Sequence, residues 1–362
     1  MKKRIGILTS GGDCPGLNAV IRAVVSHATL TYEWEVLGIP YATQGLLERK
    51  SEILNVHGLE LHGLDPLLSM GGTILGSINK GDTEARAEEA IAGYRELGLD
   101  ALIAIGGEGS LAILYKLAQK GGWKLVGVPK TIDNDVPFTE RSVGFDSAVN
   151  TITDALYRLS FTAASHDRVM VVEVMGRDVG HLALHAGIAG GADVILIPEI
   201  PYSIAGVCRH IDNLRNQWGR KFAIVVVVEG AKTPDGESRV YTDAHGEVRL
   251  RGIGEYITDQ IARCSGNHVE TRVTVLGHVQ RGGTPSVPRP PDDVLLLVKR
   301  RWTWLHGNSS VQMVAWQNGQ VVSVPLEDVF HNSPRPVKPD DFLVQTARGL
   351  GVYIGEVAEV ES

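Results

Sequence analysis

DALIAIGGEGSLAILYKLAQKGGWKLVGVP, residues Asp100 to Pro129, decides the fold. DALIAIG is a short buried strand ending on glycine, GSLAILYKLAQKG carries its apolar residues at helical spacing, and WKLVGVP is a second apolar run closed by proline. Strand, helix and strand in that order make one parallel crossover unit. The alternation extends towards the N-terminus. KRIGILT precedes a helix through GLNAVIRAVVSHA, WEVLGIP precedes a helical TQGLLER, and ARAEEAIAGYRELG is an amphipathic helix leading into Asp100. The pattern predicts an α/β fold with a doubly wound parallel sheet.

After Asp146 the rhythm restarts. SAVNTITDALYRLSF, RVMVVEV, HLALHAGIA, DVILIP, a helix near CRHIDNLRNQW and KFAIVVVVEG again alternate helix with strand. A chain of 362 residues exceeds the size at which one core keeps growing, so two doubly wound parallel-sheet lobes are expected. The boundary falls near Ser142 to Asp146, and no low-complexity linker separates the lobes, which are expected to pack rigidly around a cleft. The first lobe spans 1–143 with a return of the chain at about 280–330; the second spans 144–279 with the C-terminal 331–362.

Composition narrows the function classes. A hydrophobic fraction of 43% and a charged fraction of 21% describe a globular chain, and no apolar run approaches the ~20 residues that span a bilayer. No membrane association is expected. The opening MKKRIGILTSGGD lacks the apolar stretch of a secretory signal, which points to the cytoplasm. Cys14, Cys208 and Cys264 are too scattered for a metal cluster and too few for a disulfide framework, so they are assigned no chemistry. The net charge of −7 argues against a general nucleic-acid binder while leaving room for local basic patches that hold small phosphorylated ligands.

The 42 glycines gather at strand ends, where ligands bind in an open parallel sheet. SGGDCPGLN, Ser10 to Asn18, follows a strand and opens a helix, so its amides can cradle a phosphate. GGTILGSINKGD, Gly71 to Asp82, adds a lysine, and GGEGS, Gly106 to Ser110, sets Glu108 in a glycine turn where it can hold magnesium beside phosphates. GVPKTIDNDVP, Gly127 to Pro137, places two carboxylates after a buried strand. Taken singly, each glycine loop is more often a tight turn, and Asp and Asn are common turn residues.

Together these loops resemble the phosphofructokinase family, through GGDCPGLN, GGTILGS, GGEGS, PKTIDND, VMGRDVGHLAL and VLGHVQRGG in that order. The resemblance implies ATP-dependent transfer of a phosphoryl group to the C1 hydroxyl of fructose 6-phosphate, with magnesium, in a site between the lobes. It makes the first lobe nucleotide-binding, through Gly12, Gly106, Gly107, Gly109, Ser110, Asn79 and Lys80, with Glu108 on the metal. Asp133 matches the catalytic base, Asp135 an orienting or magnesium-assisting carboxylate, and Thr131 a ligand of substrate or of the transferred phosphoryl. The second lobe then supplies the sugar-phosphate site. Met175, Gly176 and Arg177 match positions on the sugar and, through the arginine, on the transition-state charge; Glu229 matches a carboxylate on sugar hydroxyls. Arg168, Arg272, His278 and Arg281 match positions that grip the 6-phosphate, with Arg168 and Arg272 supplied by a neighbouring subunit, which implies a homodimer or homotetramer.

The chain also departs from the family's pattern. Gly109 leaves room for the α-phosphate of ATP where pyrophosphate-using relatives carry aspartate, yet Lys130 stands where those relatives have lysine. Pyrophosphate-dependent transfer is therefore the alternative, and a sugar-phosphate-binding regulatory subunit would require loss of Asp133, which is present. Asn79 stands where bacterial ATP enzymes place an arginine, and Glu108 replaces the usual aspartate. The resemblance stops at VPRPPDDVLLLVKRRWTWLHGNSS, Val287 to Ser310, where a short imperfect helix with Trp302 or Trp304 partly exposed is expected.

Overall fold

A computed structural model describes residues 2–56, 65–78, 82–242, 248–250, 252–266, 268–286 and 311–356. Asn79, Lys80 and the segment 287–310, on which three of the expectations above rest, lie outside the described residues. The chain forms two compact units, residues 1–147 with 281–334 and residues 148–280 with 335–362. No helix among the described residues is long and apolar enough to cross a membrane.

The first unit is built on a seven-stranded sheet. Its parallel centre is β1 (Arg4–Ser10), β2 (Glu35–Gly38), β4 (Ala101–Gly106) and β5 (Leu125–Pro129). An antiparallel β3 (Glu52–Leu54) edges it beyond β2. On the other side β12 (Val311–Gln317) pairs parallel with β5, and β13 (Gln320–Pro325) returns antiparallel. All six residues of β4 are buried, as befits a strand covered on both faces. Helices α1 (Leu17–Tyr32), α2 (Thr43–Glu48), α3 (Ala87–Glu96) and α4 (Glu108–Gly121) cover the sheet. Leu46, Leu102, Leu111 and Leu326 are fully buried in its core, each contributing roughly 1.5–3 kcal/mol.

The strand order runs β13-β12-β5-β4-β1-β2-β3, so successive crossovers leave β1 in opposite directions. The crevice between β1 and β4 at their carboxyl ends is the switch point at which such sheets bind ligands.

The second unit begins within α5 (Phe145–Ser165) and holds four parallel strands, ordered β11-β6-β8-β7. These are β6 (Val169–Val174), β7 (Val194–Leu196), β8 (Ala223–Val228) and β11 (Thr271–Val275). α6 (His181–Ala189), α7 (Ile204–Asn216) and α8 (Ile253–Cys264) lie around it, and β9 (Val240–Thr242) pairs with β10 (Val248–Leu250) as a separate hairpin. Val207 and Ile211 of α7 share one core with Ile257 and Ile261 of α8.

That shared face corrects the expectation for the cysteines. Cys208 of α7 and Cys264 at the end of α8 are joined in a disulfide, their Cα atoms 6.5 Å apart. Spacing along the chain does not reveal which helices fold side by side. Cys14 is free and buried, and burial pushes its thiol up to about 12, which leaves it without nucleophilic character.

Candidate functional site

Three loops leave adjacent strands of the first unit at one level. Ser10 lies opposite Gly106, and Gly106 opposite Pro129, so SGGDCPGLN, GGEGS and PKTIDND begin side by side. A fourth is stitched to them. Ser77 donates to the Gly11 oxygen, Gly11 N–H donates to Ile78 at 3.2 Å, and the Asn18 amide reaches the Met70 and Gly71 oxygens at 3.2 and 3.1 Å. Four segments scattered between residues 10 and 135 thus share one end of one sheet.

The third loop is the N-terminus of α4, and Gly107, its cap residue, supplies no side-chain bond to the helix. The first-turn N–H groups and the positive end of a 14-residue helix face outward there, an arrangement suited to an anion. A Cβ built on Gly109 would meet nothing within 4 Å, and its backbone conformation is ordinary. The backbone does not demand glycine; the residue keeps space open. Glu108, half-buried in the same turn, offers one carboxylate beside that space. Among the described residues no group of three or more His, Cys, Asp or Glu could hold a metal, so a cage of protein ligands is not on offer. One carboxylate completed by phosphate oxygens is a coordination that suits magnesium.

Lys130, only 4% exposed, closes the floor by donating its ammonium to the Gly12 oxygen, while its own N–H bonds Gly106 at 3.0 Å. Burial pushes the Lys130 ammonium below its ordinary value; Arg281 adds to this and Asp13 and Asp133 oppose it. Arg281 lies over the first loop. A Cβ on Gly12 would come within 2.8 Å of its Nη1, which donates to the Asp13 oxygen at 3.4 Å.

Beyond Lys130 the chain alternates. Ile132, Asn134 and Val136 are at most 1% exposed, whereas Thr131, Asp133 and Asp135 are half-buried on the other side. The Asp133 N–H donates to Thr131 Oγ1 at 3.1 Å, and Thr131 Oγ1 lies 3.5 Å from Asp133 Oδ2. Asn134, at φ 56°, braces the loop from beneath. Its amide donates to the Glu140 oxygen at 3.0 Å and its oxygen accepts the Ser142 N–H at 2.9 Å. Asn134 escaped the sequence reading, which followed the flanking carboxylates; an Asn in a turn is the signal that was available.

The second unit gathers its expected residues at two opposite ends of one sheet. Met175, Gly176 and Arg177 follow β6, Glu229 follows β8, and His278 stands in a short turn, Gly277–Arg281, after β11. These are carboxyl ends. The Met175 N–H donates to Gln280 Oε1 at 3.1 Å, and Gln280, fully buried, donates back to the Gly277 oxygen at 2.9 Å, tying the turn after β6 to the His278 turn. Gly176 is at φ 139° and Arg177 at φ 43°, and a Cβ on Gly230 would fall 1.4 Å from the Arg177 oxygen. Arg177 itself is exposed, its 3.7 Å ion pair with Asp178 too open to water to fix it.

Arg168 precedes β6 and Arg272 is the second residue of β11, so both stand at the amino end of the sheet. At ~3.3 Å per residue, Arg168 lies about 23 Å from Met175 along the strand. Both arginines turn onto Glu270: Arg168 Nε is 2.9 Å from Oε2, and Arg272 Nη2 pairs with Oε1. Arg168, then Arg272, hold the Glu270 carboxyl below its usual range.

The chain matches the family model described as phosphofructokinase over residues 4–290. It is 62% identical over 365 residues to the "ATP-dependent 6-phosphofructokinase 2" of Nostoc sp. (strain PCC 7120), covering 98% of this chain and 99% of that one. An "ATP-dependent 6-phosphofructokinase" of Trichormus variabilis is likewise 62% identical, with 98% and 99% covered. Among solved structures, phosphofructokinase from Saccharomyces cerevisiae superposes with TM-score 0.79 at 27% identity over 91% of this chain, which spans 45% of the yeast chain. A pyrophosphate-dependent phosphofructokinase from Marinobacter aquaeolei has TM-score 0.78 at 22% identity, covering 98% of this chain and 89% of its own, a likeness of fold alone.

Proposed function

The chain belongs to the phosphofructokinase family, and from that premise we propose that its two sets of residues carry the donor and acceptor halves of one phosphoryl transfer. The protein is an ATP-dependent 6-phosphofructokinase: the C1 hydroxyl of fructose 6-phosphate attacks the γ-phosphorus of ATP, the bond to the β-bridging oxygen breaks, and ADP leaves. The observation that carries the assignment of residues is the meeting of three loops at the β1–β4 switch point, Asp133 lying on the loop that leaves β5 and α4 starting on the loop that leaves the neighbouring β4.

In this reading Gly12, Gly106, Gly107, Gly109 and Ser110 lay backbone against the nucleotide's phosphates. Glu108 would hold magnesium together with phosphate oxygens, a bound cation supplying positive charge opposite the transferred group. Asp133 takes the C1 hydroxyl proton, Thr131 and Asp135 orient the reacting groups, and Arg177 meets the transition-state charge. Met175, Gly176 and Glu229 hold the sugar, and His278 with Arg281 takes its 6-phosphate. Arg281, which lies against the first glycine loop, has the position least expected of a sugar-phosphate ligand.

Along the sheet Arg168 stands about 23 Å and Arg272, opposite Met170, about 17 Å from Met175, which favours their serving a sugar phosphate bound by a second copy of the chain. Shared sites of that kind require at least a homodimer. Lys130 is the one feature that favours pyrophosphate as donor, and the open space at Gly109 weighs against it.

Asp133→Asn tests the base. Turnover is expected to fall by ~10²–10⁴ with the KM for fructose 6-phosphate little changed. Near-normal turnover in that variant, or a wild-type enzyme faster with pyrophosphate than with ATP in the coupled assay, would defeat the reading.

A further inference from the structure

Arg168 and Arg272 begin at neighbouring points of one sheet edge, since β11 pairs with β6 in parallel with Thr271 opposite Val169. Guanidiniums so placed repel, yet both turn onto the same carboxylate. Glu270 is anchored between them: its main-chain oxygen accepts the Val169 N–H at 2.9 Å, and each of its two carboxylate oxygens lies within ion-pair distance of one arginine. Arg272 is fixed further by an Nη1 bond of 2.9 Å to the Thr271 oxygen.

We infer that Glu270 is a positioning residue, a built-in counter-anion that holds Arg168 and Arg272 side by side as a clamp for a phosphate dianion presented by a second copy of the chain. The inference rests on the reading of the two arginines as ligands of the sugar's 6-phosphate. The side chains of Arg168, Glu270 and Arg272 are 26%, 40% and 56% exposed, and ion pairs this open add little to the stability of a fold. Their value lies in order. A long arginine loses rotamer freedom when it grips a ligand, and pairing it in advance removes that cost from binding. Each guanidinium has five N–H donors, so sharing with Glu270 leaves donors for phosphate oxygens.

Glu270→Gln keeps the shape and removes the charge. It is expected to raise the KM for fructose 6-phosphate about tenfold, with kcat within twofold and the KM for ATP unchanged. Glu270→Asp, which keeps the charge on a shorter arm, is expected to recover part of the loss. An unchanged KM overturns the inference. So does a lowered one, since the carboxylate would then be competing with the phosphate, and so does an equal rise in the KM for ATP, which marks a merely structural role. Arg168→Ala and Arg272→Ala separate the two layers of the argument. If neither raises the KM for the sugar phosphate, the reading of the arginines fails and takes Glu270 with it. If both do and Glu270→Gln does not, only the role given to Glu270 fails.

Discussion

The side-chain oxygen of Asn134 accepts the Ser142 N–H at 2.9 Å, and this bond closes the loop that carries both carboxylates. Ser142 Oγ donates to the same oxygen at 3.2 Å and to the Thr131 oxygen at 2.6 Å, so one buried amide and one hydroxyl set the start and end of the turn. Asn134 also sits in the left-handed region, where Asn is tolerated better than most residues. Asn134→Gly keeps that backbone and deletes the bonds, which is expected to cost ~2–4 kcal/mol in denaturant unfolding. Asn134→Ala is expected to lose about 1 kcal/mol more through the backbone. Since a 1 Å displacement of a reacting group can cost ~10²-fold, both variants should lose kcat by about 10–100-fold with the KM for ATP nearly intact. Equal stability of the two variants would show that the backbone conformation at 134 carries no strain.

Gly109 offers a separation of packing from function. A Cβ there meets nothing within 4 Å and the backbone is ordinary, so Gly109→Ala and Gly109→Asp are expected to melt at or slightly above the wild-type temperature. Activity should respond differently. Aspartate places bulk and negative charge where the nucleotide's α-phosphate is proposed to lie, and the KM for ATP is expected to rise at least about tenfold, far more than for alanine. A wild-type KM for ATP in Gly109→Asp would remove this position from the nucleotide site.

Strands buried on both faces were legible because nothing else explains their composition. AIVVVV of β8 and ALIAIG of β4 are uninterrupted apolar runs, and each is buried at all six positions. The antiparallel edge was missed. β12 and β13 are joined by Asn318 and Gly319, both at positive φ, the two-residue hairpin signal that VQMVAWQNGQVVSVP displays openly. The glycine loops and TIDND were readable as marks of the family because residue type and order carry the meaning, and the structure sets these loops side by side. The bracing residues were not. Gln280 meets Met175 and Glu270 meets Arg168 from about a hundred residues away, and the Cys208–Cys264 bond spans 56 positions, so only the packing of helices and strands reveals them.

His181 makes the fold sensitive to acid. It begins α6 at 7% exposure, its Nε2 donates to the Arg335 oxygen at 3.0 Å, and burial, then the Arg335 charge, pushes the imidazole down to about 4. In the unfolded chain the ring titrates near ~6.5. Between those values the unfolded chain binds a proton that the folded chain does not, so stability rises with pH. The contribution is fully present above about 6.5, is lost as pH falls towards about 4, and amounts to roughly 3 kcal/mol. His181→Gln retains a donor without titrating. Urea unfolding at pH 7.5, 6 and 5 is expected to show a smaller decline for the variant; parallel declines would place the acid sensitivity elsewhere.

Gly230 is the residue at which the proposed sugar-phosphate half of the site should prove least tolerant. It follows Glu229 at the end of β8, and a Cβ there would fall 1.4 Å from the main-chain oxygen of Arg177, with the Arg177 carbonyl carbon at 2.6 Å. The obstacle is backbone, which cannot turn aside as a side chain does. The Arg177 loop has little freedom to give, because Gly176 is at φ 139°, Arg177 is at φ 43°, and the Val179 N–H is bonded to the Gly176 oxygen at 2.8 Å. Gly230→Ala must therefore push the loop off β8, taking Met175 and Arg177 with it. The expected loss is about 2–4 kcal/mol of stability, and at 20 °C, where folded protein remains, a rise of at least about tenfold in the KM for fructose 6-phosphate with the KM for ATP within twofold. Gly236→Ala is the control for a glycine in the same unit with nothing near its Cβ, where the only cost is its positive φ of 84°. A Gly230→Ala enzyme with a wild-type KM for the sugar phosphate would mean that the Arg177 loop can move without affecting the substrate, and would take Met175 and Arg177 out of the site.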